Sequence, residues 1–158
     1  MGEDARVLDV VYALRETDRR EGFFRPIVET KSFTWRLEIK EFDKLGLLVN
    51  HIEIKAHKTS ALSLEQQSER LKDTITYLED FKLIEYDCHN STLLLRSRVP
   101  KRLGVTPSYY EIVLKEGNQL RFGRYKFDQT TGKRRPVPAN LAKEIFERLL
   151  VDFESLFS

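Results

Sequence analysis

Between Phe33 and Lys40 apolar and polar residues alternate without a break: Phe33, Trp35, Leu37 and Ile39 against Thr34, Arg36, Glu38 and Lys40. Successive side chains of a strand point to opposite faces, so the pattern predicts a strand with one face in a core and the other in water. Asp43-Lys44-Leu45-Gly46 reads as a turn. Residues 48–56 read as the returning strand, with Ile52, Ile54 and Ala56 inward and His51, Glu53, Lys55 and the following His57 outward. Two more hairpins follow. Strands over 83–87 and 92–99 flank Cys88-His89-Asn90-Ser91, and strands over 109–115 and 119–128 flank Glu116-Gly117-Asn118. Connections this short restrict the chain to a largely antiparallel sheet.

Helical signals punctuate the strands. Ser63 with Gln66 three residues later forms a capping box, and Leu64, Leu71, Ile75 and Leu78 repeat at helical spacing up to about Phe81. Residues 5–19 fit both a helix, through Val7, Val11 and Leu14, and a strand, through Leu8, Val10, Tyr12 and Leu14. Helix is the preferred reading. Asp128 to Gly132 is a turn signal, and Pro136 and Pro138 are expected to stop strand pairing before a last helix over 140–157. Gly123, inside a strand, marks a bulge or a close backbone approach. The expected order is helix, two strands, helix, four strands, helix. That is an α+β domain, with about six mostly antiparallel strands and two or three helices on one face.

The chain of 158 residues suits one domain, 1–158, and its 41% apolar and 33% charged residues suit a packed core. One cysteine, Cys88, makes no internal disulfide, which favours a reducing compartment and a half-buried structural thiol. Acids at Glu3 and Asp4 replace the basic start of a signal peptide, and Arg6 breaks the myristoylation pattern. No apolar run approaches the about 18 residues of a membrane span. Asn90-Ser91-Thr92 fits a glycosylation sequon that no export signal precedes. The expected location is the cytoplasm.

Reactive chemistry finds little support. His51 and His57 share a strand face, yet six positions at ~3.3 Å each separate them by roughly 20 Å, too far to share an ion. Cys88 and His89 are neighbours, whose side chains diverge on a strand, and no third group orients them. Glu38 with Glu41, and Glu79 with Asp80, have no apolar setting that would raise a pKa. No glycine-rich phosphate loop is present: Gly104, Gly117, Gly123 and Gly132 are isolated. Neither a catalytic residue, nor a metal site, nor a cofactor site is expected.

Two features point to binding. Charge is uneven: residues 1–82 carry 14 basic and 16 acidic side chains, 83–138 carry 11 and 5, and 139–158 carry 2 and 4. The basic excess comprises Arg96, Arg98, Lys101, Arg102, Arg121, Arg124, Lys133, Arg134 and Arg135, together with Lys126. Tyr109, Tyr110, Phe122, Tyr125 and Phe127 interleave with it, a pattern suited to single-stranded nucleic acid. A plainer reading puts Leu120, Phe122, Tyr125 and Phe127 on the core face through a bulge at Gly123 and leaves the cations as a solvated face.

The second feature is the last helix. Leu141, Ala142, Ile145, Phe146, Leu149, Leu150, Phe153, Leu156 and Phe157 spread over about 180° of it, wider than the about 100° a surface helix needs. Either the fold wraps this helix, or Phe146, Leu150 and Phe157 meet a protein partner, including a second copy of the chain. The expected function is therefore a non-enzymatic interaction domain. The alternatives are a nucleic-acid-binding module on the 96–135 face, and an enzyme or carrier with a pocket between sheet and helices near Trp35, Tyr110 and Phe122.

Overall fold

The alternation at Phe33 becomes a long strand, Phe33–Phe42, whose residues Phe33, Trp35, Leu37 and Ile39 are all buried. The computed structural model describes residues 4–98 and 107–158. Among these residues nine strands form one antiparallel sheet: β1 (Ile27–Glu29), β2 (Phe33–Phe42), β3 (Gly46–Ala56), β4 (Phe81–Asp87), β5 (Thr92–Ser97), β6 (Ser108–Lys115), β7 (Gln119–Asp128), β8 (Lys133–Val137) and β9 (Ala139–Ala142). Their order is β1-β2-β3-β7-β6-β5-β4, with β8 beside β7 and β9 beside β3. Three helices, α1 (Asp4–Tyr12), α2 (Leu64–Thr74) and α3 (Lys143–Leu156), complete an α+β fold.

Local chemistry explains most of these elements. At the start of α2 the Ser63 Oγ accepts from the Gln66 N–H at 3.1 Å, and the Gln66 Oε1 accepts from the Ser63 N–H at 2.9 Å. The helix ends at Thr74, short of the expected Phe81, because Thr74, Ile75 and Thr76 are β-branched and favour leaving it. Ile75 is buried at the end of the helix, and Phe81 instead opens β4. α1 is shorter than the 5–19 reading. After Tyr12 only a single 3₁₀ turn, Glu16–Asp18, continues it.

The segment around the prolines departs from expectation. Pro136 lies inside β8, opposite Tyr125 of β7. Among the described residues β8 pairs with β7 alone, and such an edge strand is where a proline is tolerated. After Pro138 the chain pairs with β3 as β9, burying Ala139 and Leu141, so α3 begins at Lys143 rather than 140. β3 and β7 pair only over His51–Lys55 and Gln119–Gly123, then part, and β8 and β9 fill the fork. Gly123 keeps regular register and makes no bulge. It is a close approach instead, since a Cβ there would lie 3.2 Å from the Asn50 carbonyl oxygen. Tyr125 and Phe127 therefore stay on the face opposite Leu120 and Phe122, and Phe127 is exposed, contrary to the expected core placement.

All three helices lie on one side of the sheet. α3 packs on β3, and α1 and α2 pack on α3. Phe122 of β7 meets Phe153 of α3 at 5.8 Å, and Tyr110 stacks on Phe122 at 5.5 Å. The wide apolar arc of α3 is filled from within: Phe146 and Leu150 are 0% exposed and Phe157 is 8% exposed. The interface expected on these three residues is thus interior to the chain. Trp35, Tyr110 and Phe122 are likewise core side chains, packed on neighbouring rings.

Candidate functional site

No helix among the described residues covers the other face of the sheet. Antiparallel register sets its side chains in rows. One row runs Glu29, Thr34, Lys55, Gln119, Lys115. The next runs Arg36, Glu53, Arg121, Val113, Leu94. A third runs Glu38, His51, Gly123, Glu111, Arg96. Opposite charges stand side by side in the second row, at Arg36, Glu53 and Arg121, and in the third, at Glu111 and Arg96, as cross-strand pairing favours.

The third row holds the most ordered cluster. The Glu111 side chain is only 2% exposed and lies between two arginines. Arg96 Nη2 stands 3.4 Å from its Oε1, and Arg134 of β8 bonds its Oε2. Each guanidinium also covers a ring: Arg96 lies 4.6 Å from the Tyr109 centroid, and Arg134 lies 4.3 Å from that of Tyr125. The two tyrosines stack on each other at 6.4 Å. A carboxylate this buried requires its cations, which makes the cluster a strap holding β8 over the face. Sequence reasoning missed Glu111. Its signal was a lone acid inside the apolar run Tyr109-Tyr110-Glu111-Ile112-Val113-Leu114.

At the other end of the row, Glu38 accepts from Asn50 Nδ2 at 2.8 Å and from Arg25 Nε at 3.1 Å. Burial pushes its carboxyl pKa up, but these hydrogen bonds outweigh burial and hold it below the ordinary value. His51, beside Glu38 and Glu53 but also Arg121 and Arg25, is lowered chiefly by burial.

Beside the strap lies a trough of about 660 Å³ on the same face. Five cations line it, Arg36, Lys55, Lys115, Arg121 and Arg134, against two carboxylates, Glu29 and Glu53. Arg121 stands 3.6 Å from Glu53, and Thr34 Oγ1 donates to Glu29 at 3.0 Å. Among the described residues Arg36, Lys55 and Lys115 have no carboxylate within ion-pair distance. A smaller cavity of about 300 Å³, lined by Glu85, Asp87, Arg96 and Glu111, adjoins it and shares Val113 and Arg134.

The basic residues singled out in the sequence do not form one patch. Arg96, Arg121 and Arg134 share the open face, each held by a carboxylate. Arg124 is on the helix side, where Nη2 donates to Ser108 Oγ at 2.8 Å and the guanidinium covers Tyr110 at 4.5 Å. Arg98, Lys133 and Arg135 are exposed. Lys101 and Arg102 lie outside the described residues. Cys88 is exposed in the β4–β5 turn rather than half-buried. His57 is held between Thr34 Oγ1 at 2.9 Å and the Lys31 carbonyl at 3.0 Å. No group of three His, Cys, Asp or Glu side chains among the described residues is placed to hold a metal ion, and no described helix is long and apolar enough to cross a membrane. Comparison with protein-family models, curated proteins and solved structures finds no match.

Proposed function

We propose that the protein is a non-enzymatic binding module whose working surface is the open face of the sheet, and that its ligand is an acidic segment of another protein. The observation that carries this reading is the trough, where five cations face two carboxylates and three of the cations have no carboxylate partner among the described residues. Cations without acids on a concave surface complement a chain rich in Asp and Glu. Nucleic acid fits less well. Single strands need several open rings for stacking, whereas Tyr109, Tyr110 and Phe122 are buried and Tyr125 lies under Arg134, which leaves Phe127 as the one exposed ring of the set. The exposed single thiol, Cys88, suits a reducing compartment such as the cytoplasm.

Titration with a short Glu/Asp-rich peptide and with a single-stranded oligonucleotide of matched charge tests the reading. The peptide is expected to bind more tightly, and added salt to weaken it. Replacing Arg36, Lys55 and Lys115 together by alanine should cost at least ~10-fold in affinity. Tighter binding of the oligonucleotide would transfer the face to nucleic acid. Absence of binding by either probe at ~100 μM would retire the trough as a site.

A further inference from the structure

We propose that the protein forms a two-fold dimer in which β4 pairs antiparallel with β4 of a second copy, at the edge of the sheet rather than on its open face. Among the described residues β4 bonds β5 alone, so about half of its backbone N–H and C=O groups face outward, an edge that proteins ordinarily shield. Here the edge is apolar. Leu83 is 47% exposed, Ile84 39% and Tyr86 38%. The opposite edge, β1, has three residues and is too short to serve in the same way.

The occupant follows from the pattern of faces along β4. Its register with β5 shifts between Leu83 and Glu85, leaving Ile84 without a cross-strand mate. Across that shift Leu83 is opposite Leu95 and Tyr86 is opposite Leu93, both buried, so Leu83 and Tyr86 share the helix side. Lys82, opposite Arg96, and Glu85, opposite Leu94, share the open side. A second copy changes faces at the same place, so it can match β4 residue for residue. With the axis between Leu83 and Ile84, Lys82 meets Glu85 of the second copy on the open side. Leu83 meets Ile84 of the second copy, and Phe81 meets its Tyr86. Every apolar residue then faces an apolar one and every charge its opposite.

The charges reinforce this choice of mate. Lys82 has a like-charged neighbour in Arg96, which a carboxylate from across the axis would offset. The ladder stops after six residues, where Asp80 would meet Asp87. Asp87 is turned into its own hairpin, accepting from the Asn90 N–H at 3.1 Å and from Asn90 Nδ2 at 2.7 Å.

Sedimentation or light scattering across a concentration series, with circular dichroism as a check on folding, decides the matter. Lys82 and Glu85 are both exposed, so their variants should fold. Wild type is expected to dimerise with a Kd below ~100 μM. Lys82→Glu sets two carboxylates against each other at two symmetry-related places, and Glu85→Lys sets two cations. Each should weaken association about tenfold, and the double variant should return to within about threefold of wild type. A folded wild type that remains monomeric at ~500 μM overturns the proposal and leaves the edge to a strand of another protein. A dimer indifferent to both single changes, or one that the swap does not restore, overturns it equally, because the interface or the register then lies elsewhere.

Discussion

At position 123 a methyl group would lie 3.2 Å from the Asn50 carbonyl oxygen and 3.4 Å from Cε2 of Tyr125. Neither neighbour is placed to yield. The carbonyl belongs to β3 where it parts from β7, and the Tyr125 ring is held between Tyr109 and Arg134. Gly123→Ala should therefore displace Tyr125 and loosen Arg134 on Glu111. Overpacking of this kind costs ~1–3 kcal/mol, and alanine recovers ~0.5–1 kcal/mol by restricting the unfolded chain. A net loss of about 1 kcal/mol in urea unfolding is expected. An unchanged or higher stability would mean that the fork is looser than its backbone distances imply.

Within α3, three successive positions report which way the helix faces. Leu149 and Leu150 are fully buried, whereas Val151 is 48% exposed. Leu149→Ala should cost ~2–5 kcal/mol, as a buried large-to-small change does. Leu150→Glu should abolish folding, because it buries a carboxylate without a partner. Val151→Glu should stay within ~0.5 kcal/mol of wild type by urea denaturation. If Leu150→Glu folded with only a small loss, the arc of α3 would not be enclosed by α1, α2 and the sheet. The width of that arc was legible in the sequence, but what covers it was not, since α1 lies at the far end of the chain. The same distinction separates the strands. β2, β3, β6 and β7 were readable because alternation is a local pattern. β8 and β9 were not, because Lys133-Arg134-Arg135-Pro136-Val137 has no apolar period, and both strands pair only because β3 and β7 diverge. The cations of the open face could be named from their type. Their partners could not, as the bond between Arg134 and Glu111 spans 23 positions.

Across the whole molecule, one face of the sheet is sealed under helices and the other is open and charged, and two groups on the open side respond to pH. Both act in the same direction at different pH. Burial lowers the His51 pKa below its ordinary 6.5, with Arg121 and Arg25 adding to burial and Glu53 and Glu38 opposing it. The unfolded chain then takes up a proton near pH 6.5 that the folded chain refuses, so stability falls as pH drops through that value. Glu38, held below its ordinary 4.5 by Asn50 and Arg25, stabilises the fold above that pH and loses its contribution on further acidification. Urea midpoints measured from about pH 7.5 to 5 should decline for wild type, the His51 window, before any carboxylate effect sets in. His51→Gln removes the titrating ring while keeping a polar side chain on the same face, so its midpoints should be nearly level over that range. The lower step, to which Glu38 contributes together with Glu16, Asp87 and Asp128, should persist in the variant. A wild-type midpoint that is flat between about pH 7.5 and 5, or a variant that declines as steeply as wild type, would place the acid sensitivity on groups other than His51.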